Sequence, residues 1–352
     1  MEHEEGVRQV TETIPVILCI DVEPDPFLVN RANPEPWAGY EKTVPYLRTM
    51  RARFEEATGS AVHYTWCFRM DPQVAESYGS PTWAVDRYPE FVTEMRRHGD
   101  ASGIHPHAYR WVAGEERWIE DLGDQGWIEE CVETSLDAYS RALGSRCEIF
   151  RFGNFWINTN TVNLLERHRV RYDLTVEPGL TPAFNGTLGK GQSTGSRPDF
   201  TRVPRAPYHP RRDDLGKPGT PGSRSITMIP MTSGSLRLGA DLWRRGGRLW
   251  RNGWRYRLQN RPLSMWQAWE APNTFDTMLD RAIAAQARPY LAFSIRSSIG
   301  IGRSAEAVDA CLRALLTHRQ RSRFVFSTPG EALTLLNVTS PESSERLPEL
   351  DR

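Results

Sequence analysis

The 352-residue chain has no excess charge of either sign: 44 lysines and arginines stand against 44 aspartates and glutamates. A bulk electrostatic case for nucleic acid is therefore absent. No apolar run reaches the roughly 18 residues that a membrane span requires. The opening MEHEEGVRQVTET is acidic and polar, with neither the basic nor the apolar segment of a secretory signal, so a cytoplasmic location is expected. Cysteine is sparse. Cys19, Cys67, Cys131, Cys147 and Cys311 are odd in number and scattered, with no Cys-x-x-Cys among them. Buried free thiols in a reducing compartment are the simplest account.

What is present is an alternation of strand-like and helix-like segments. IPVILCID (14–21) reads as a buried strand that ends in an acid, and the segment 39–59 has helical spacing and stops at Gly59. SAVHYTWCF, CEIFRFG, RYDLTV, SITMIPM, RPYLAFSI and RFVFST read as further strands, with helices between most of them. Such an order argues for parallel strands joined by crossover helices. Seven or eight strands suit a closed or nearly closed barrel, whose chemistry gathers at the C-terminal strand ends. Residues 14–337 are expected to form one domain, between a flexible start (1–13) and a disordered tail (338–352). Within it, about 178–270 reads as an insertion. Gly, Pro, Ser and Arg dominate its first part, and connectors of that length are usually functional or mobile. LWRRGGRLWRNGWRYRLQNR (242–261) then crowds Arg with Trp, as a segment that stacks on sugars, binds phosphate or touches a membrane surface would, or as Arg planes packed on rings would. Trp243, Trp250, Trp254, Trp266 and Trp269 are candidates for sugar stacking or for an aromatic core.

Polar residues at strand ends are the candidates for chemistry. Asp21, Glu23 and Asp25 alternate in CIDVEPDP, and in extended chain they share one face. Acids grouped at a strand end bind a cation, carry raised pKa values or sit solvated in a loop. GIHPHAYRW (103–111) places His105 and His107 two apart, which fits either metal ligands or a surface turn. Arg151 ends another strand and suits a carboxylate or an oxyanion, or a salt bridge to a helix. Asp173 and Glu177 follow in RYDLTVEPG, as site acids or as cap and turn residues. His63 lies within a strand-like run and is expected in the core or bonded to a neighbour. His209, in the long loop, is expected to be exposed, unless it swings over the cleft as an acid.

The order of these pieces resembles the polysaccharide deacetylase superfamily, the NodB-like carbohydrate esterases of family 4, in a divergent "DVE" branch. The resemblance runs from about residue 16 to 337 and is weak across 180–270. ILCIDVEPD resembles the first acidic motif, and RRHGDASGIHPHAYRW the metal-histidine motif. FRFGNFWINTNTVNLLERHRVRYDLTVEPG resembles the arginine motif with its following helix and strand, and RPYLAFSIRSS the late strand that delivers a histidine. The resemblance implies a deformed (β/α)7 barrel that holds a divalent metal, often zinc, and removes acetyl groups from N-acetylated sugars. Asp21 would be the general base and Arg151 would orient it. Val22 stands where the ligand acid usually follows the base, so Glu23 would serve. His105 matches the first metal histidine. The position of the second is Tyr109, so His107 would replace it, and Arg296 stands near the place of the late histidine. Tyr109, Trp111, Asn154, Trp156, Glu177 and His209 are expected to meet a carbohydrate substrate.

Three functions compete on this pattern. One is a metal-dependent carbohydrate N-deacetylase acting on a sugar or glycan precursor. Another is a metal-independent glycoside hydrolase, pairing Asp21 or Glu23 with Asp173, Glu177 or Asp214. The third is a non-catalytic glycan-binding relative, in which Arg296 fills the metal position by pairing with Glu23.

Overall fold

The computed structural model describes residues 12–184, 191–235, 262–263, 275–300 and 303–338. The 242–261 segment, the five Trp candidates near it, and most of the expected flexible start and tail lie outside the described residues. Among those described, no helix is long and apolar enough to cross a membrane.

Strand β1 (Ile14–Val22) is buried along its whole length. That is what its unbroken apolar run requires of a strand covered on both faces. It is followed by α1 (Ala38–Thr58), β2 (Thr65–Phe68), α2 (Pro72–Tyr78), α3 (Trp83–Arg87), α4 (Pro89–Arg97) and β3 (Ala101–Ile104). A hairpin of β4 (Tyr109–Val112) and β5 (Arg117–Leu122) leads to α5 (Gln125–Leu143), β6 (Ile149–Phe150), α6 (Thr159–Arg167) and β7 (Tyr172–Asp173). Then come β8 (Ala183–Phe184), β9 (Ser193–Arg197), β10 (Thr227–Met228), β11 (Gly234–Ser235), β12 (Pro262–Leu263), β13 (Leu291–Arg296) and β14 (Phe324–Phe326). Side-chain caps set several boundaries. Asp71, Asp124 and Asn158 accept backbone N–H groups at the starts of α2, α5 and α6, and Gly59 and Gly144 end α1 and α5 in the left-handed conformation.

The main sheet runs β10-β7-β6-β3-β2-β1-β13, with β14 paired to the first residues of β1, and every pairing is parallel. It curls until its ends meet: Thr232 N donates to Ala292 O at 2.7 Å, and Ala292 N to Thr232 Oγ1 at 2.8 Å. This is the deformed parallel barrel that the alternation predicts. Its two faces carry different side chains. Ile14, Val16, Leu18, Ile20 and Val22 join the larger core, which includes the helix faces. Ile17 and Cys19 join the smaller inner core with Cys67, Ile149, Leu174, Ile229, Met231, Tyr290 and Ala292. All five cysteines are free and buried, as expected, and Cys19 and Cys67 bring their sulfurs to 3.3 Å on neighbouring strands. A smaller sheet, β4-β5-β9-β8, stands beside the histidine stretch.

Candidate metal centre

The inward row of Ile17 and Cys19 continues to Asp21 and Glu23 at the C-terminal end of β1. In the parallel register Asp21 lies opposite Cys67 on β2 and Arg296 on β13. His105 and His107 follow β3, and Arg151 follows β6. These six side chains, from four strand ends, converge in one buried cluster.

Arg151 holds Asp21. Its Nε donates to both carboxylate oxygens, at 3.1 and 3.2 Å. Its other nitrogens donate to Leu174 O at 2.7 Å and Ser294 Oγ at 2.8 Å, which locks the guanidinium in place. Burial raises the Asp21 carboxyl to about 6 against the pull of Arg151, and the nearby Glu23 charge adds to the rise. Burial also works to raise Glu23, but Arg296 and the two histidines outweigh it and hold Glu23 well below the usual carboxylate range. Burial pushes the His105 imidazole down to about 3. The same cause, with Arg69 nearby, takes His107 to about 4. Both rings are therefore neutral at pH 7, the form that binds metals.

Three ligand atoms face one another. The Nε2 atoms of His105 and His107 are 3.2 Å apart, and Glu23 Oε2 lies 3.4 Å from His107 Nε2 and 3.9 Å from His105 Nε2. A tetrahedral ion with bonds of about 2.0–2.1 Å sets its ligand atoms ~3.3 Å apart, so the triangle has the size such an ion needs. Glu23 Oε2 is buried without a hydrogen-bond partner among the described residues, an arrangement that is costly unless something else meets it. Arg296 Nε pairs with the other oxygen, Oε1, and the Arg296 guanidinium lies 3.6 Å from the centre of the Phe27 ring. The Arg296–Glu23 ion pair thus exists, but it leaves Oε2 facing the histidines. Glu23, His105 and His107 are the one group of this kind among the described residues.

No family model matches the sequence, and no curated protein matches it. Solved structures do. The chain is similar to a protein named as a candidate glycoside hydrolase/deacetylase from Parabacteroides distasonis, with a TM-score of 0.57 and 13% identity over 94% of this chain and 73% of that one. The two share a fold, the deformed parallel barrel described above. Also similar are a candidate polysaccharide deacetylase from Pseudomonas aeruginosa (TM-score 0.49, 14% identity, 93% and 92% covered) and the peptidoglycan deacetylase PdaC from Bacillus subtilis (0.39, 12%, 93% of each). The likeness to the Parabacteroides distasonis structure speaks for the fold alone, and the chemistry has to come from the side chains.

Within this barrel several expected site residues take other places. Asp25 does not share the face of Asp21 and Glu23. Both its oxygens accept the Gly39 N–H, at 3.0 and 3.1 Å, at the start of α1, where a Cβ on residue 39 would lie 2.4 Å from Asp25 Oδ1. Trp156 is buried, donates Nε1 to Ser196 O and packs on Phe152, so it is core rather than a sugar platform. His209 is also buried rather than exposed, and its Nδ1 hydrogen-bonds Ile226 O at 3.1 Å. It is an internal brace of its loop and is not poised to swing. Tyr109 is fully buried, with its ring stacked on His107 at 5.1 Å, so it acts on the histidine and not at an open surface. Asn154 ties the Tyr109 hydroxyl to Glu120. Glu177 is buried, and its charge acts on Arg151. Trp111 is half-buried, lies edge-on to Trp118 and carries Arg31 over its ring. His63, half-buried, pairs with Glu331.

Other residues of the cluster do not stand out in the sequence. Gly153 touches the His107 ring so closely that a Cβ there would lie 2.3 Å from its Nε2. Asn154 and Phe155 follow with φ of 55° each, a left-handed pair that non-glycine residues rarely adopt. Arg69 and Asp71, in CFRMDPQ, stand fully buried beside the histidines. The signal that could have found both is the one that marks the other strand ends, a charged residue directly after an apolar strand, here β2.

Proposed function

We propose that this chain is a metal-dependent hydrolase that releases acetate from an N-acetylated sugar or glycan precursor. One observation carries the reading: a carboxylate gripped by an arginine, Asp21 on Arg151, lies beside a buried Glu-His-His triangle at a barrel mouth. His105 Nδ1 stands 3.7 Å from Asp21 Oδ1, so the two parts are in contact.

Glu23, His105 and His107 would hold a divalent ion, and the nitrogen-rich set favours zinc among the candidates. When bound, such an ion makes water nucleophilic near neutral pH and polarises a carbonyl oxygen. The remaining steps belong to the protein. Asp21 is ionised above about pH 6 and accepts a proton from the attacking water at its carboxylate oxygen. Arg151 keeps that carboxylate in one orientation. The water oxygen bonds to the acetyl carbon, the C–N bond breaks, and acetate and a free amine result. Arginine does not give up its proton, so Arg296 cannot protonate the leaving nitrogen. Asp21 returns the proton it took.

The glycan-binding reading draws on the Arg296–Glu23 pair and predicts no metal uptake. The paired-carboxylate reading loses two partners. Asp173 spends its oxygens on Thr175, at 3.0 and 2.9 Å, and Asp214 pairs with Lys217 at 2.8 Å in the loop. The test is acetate release from N-acetylated mono- and oligosaccharides by protein loaded with zinc or cobalt. Release that vanishes in Asp21→Asn while the metal stays bound would support the proposal. Metal-loaded protein that releases acetate from none of them would count against it.

A further inference from the structure

His105 and His107 turn their Nε2 atoms toward each other at 3.2 Å, but only His105 is also fixed by a hydrogen bond at Nδ1. Its Nδ1 donates to Arg151 O at 2.9 Å. That is the ordinary way a protein fixes a metal-binding imidazole and its tautomer. His107 Nδ1 is buried with no hydrogen-bond partner among the described residues. Something else must hold this ring.

The end of β2 supplies it. Arg69 N donates to Val22 O at 2.9 Å, which extends the β1–β2 ladder by one residue and sets Arg69 next to Glu23. The guanidinium grips Asp71 with two bonds, Nε to Oδ2 at 2.8 Å and Nη2 to Oδ1 at 3.0 Å, and Nη2 also donates to Gln73 Oε1 at 2.6 Å. Asp71 Oδ2 then accepts the backbone N–H of His107 at 2.9 Å, and Oδ1 caps α2 through Gln73 N and Val74 N at 3.1 and 3.3 Å. On the ring side, the Arg69 guanidinium stands 5.5 Å from the centre of the Tyr109 ring, which is stacked on His107. Arg69 thus reaches His107 by two routes, through Asp71 to its backbone and through Tyr109 to its ring.

We propose that Arg69 and Asp71 are positioning residues that make His107 a metal ligand, a clamp on the backbone standing in for the missing bond at Nδ1. The inference rests on the metal reading above. It explains why a fully buried ion pair sits here although neither partner faces the triangle as a ligand. A buried pair is a poor source of stability compared with apolar packing, and fixing geometry is its better-attested use.

The test is the affinity of the full chain for cobalt(II), measured by competition with a chelator, together with the visible spectrum of the bound cobalt. Wild type is compared with Asp71→Asn, Arg69→Met and the double variant Arg69→Met/Asp71→Asn. The double variant leaves neither charge buried alone, so it reports even if a single variant fails to fold. The clamp predicts a ten- to hundredfold loss of affinity, the range seen when outer partners of metal ligands are removed. It also predicts a changed cobalt spectrum, which a loss of stability alone would not produce. Wild type that binds cobalt, with the folded variants keeping wild-type affinity and spectrum, would overturn the clamp and leave the metal centre standing. Wild type that binds no cobalt would overturn the metal reading and the clamp with it.

Discussion

His105 and His107 are two residues apart and equally buried, yet they are held in opposite ways. His105 is aimed by one directional bond to a backbone carbonyl, which no side-chain substitution can remove. His107 is aimed by packing: Tyr109 stacks on one side, Gly153 lies against the ring, and Phe27 approaches at 6.2 Å. A hydrogen bond fixes an angle by itself, whereas packing fixes it only while every neighbour stays in place. The His105 arm of the site is therefore robust to changes around it, and the His107 arm is sensitive to them.

The sharpest way to break this contrast is Gly153→Val. A side chain there has no room beside the His107 ring. Metal affinity should fall by about a hundredfold or more, in line with losing one ligand's geometry. The histidine NMR signals should show His107 displaced while His105 keeps its hydrogen-bonded Nδ1 proton. A second substitution separates chemistry from binding. Asp21→Asn should lower the rate of acetate release by about 10²–10⁴-fold, the usual worth of a general base. Its metal content should match wild type, because Asp21 is not in the triangle. A metal content that falls in step with the rate would make Asp21 a ligand. The packing claim itself is tested at Tyr109. Tyr109→Leu removes the stack and should weaken metal binding by about tenfold. Tyr109→Phe keeps the ring and loses only the hydroxyl contact with Asn154, so its affinity should stay close to wild type. Equal losses in the two would place the effect in the hydroxyl and not the stack.

The smallest effect is in the pH dependence of unfolding without metal. His105 and His107 titrate at about 3 and 4 in the folded chain, against about 6.5 unfolded. Their folded values are lowered, so the unfolded chain binds more protons below pH 6.5. The stability tied to their neutral forms is complete above pH 6.5 and drains as pH falls toward 4. Asp21 works the other way: its raised value of about 6 lets the folded chain take up a proton between pH 6 and 4, before the unfolded chain does. Asp173, which burial raises to about 7, does the same, so in that window unfolding should bind about two protons at the imidazoles and release about one at each aspartate, with each proton worth ~1.4 kcal/mol per pH unit. His107→Gln should remove one of the imidazole protons and change the slope of stability against pH by that one proton. Urea midpoints measured from pH 4 to 7 in a chelator would show whether the slope changes by that step.

The barrel was legible in the sequence because an apolar run that ends in a charged residue fits a buried strand and little else. IPVILCID, CEIFRFG and RPYLAFSI all deliver a site residue at or near their ends, as the strand-end rule requires. The Glu23, His105 and His107 grouping followed from spacing together with family resemblance. What sequence could not give was direction. Asp25 has the same two-residue spacing as Asp21 and Glu23, but the chain turns after β1 and spends it on a helix start. Trp156 and His209 carry the chemistry of a sugar site, yet their polar atoms are satisfied by backbone carbonyls inside the fold. The place of Arg69 and Asp71 after the apolar strand β2 was legible, but the bond from the His107 N–H to Asp71, which joins different elements, was not. Contacts of that kind have no signature in local sequence.

Central to the account is a metal held by Glu23, His105 and His107. The direct measurement is the metal content of the purified chain by plasma mass spectrometry, with His105→Ala and Glu23→Ala beside wild type. The account predicts about one divalent ion per wild-type chain, by the stoichiometry of a single three-ligand site, and loss of that ion in both variants. A folded wild type that carries no metal and cannot be loaded with zinc or cobalt would contradict it, and the Arg296–Glu23 pair would then be the natural occupant of the barrel mouth.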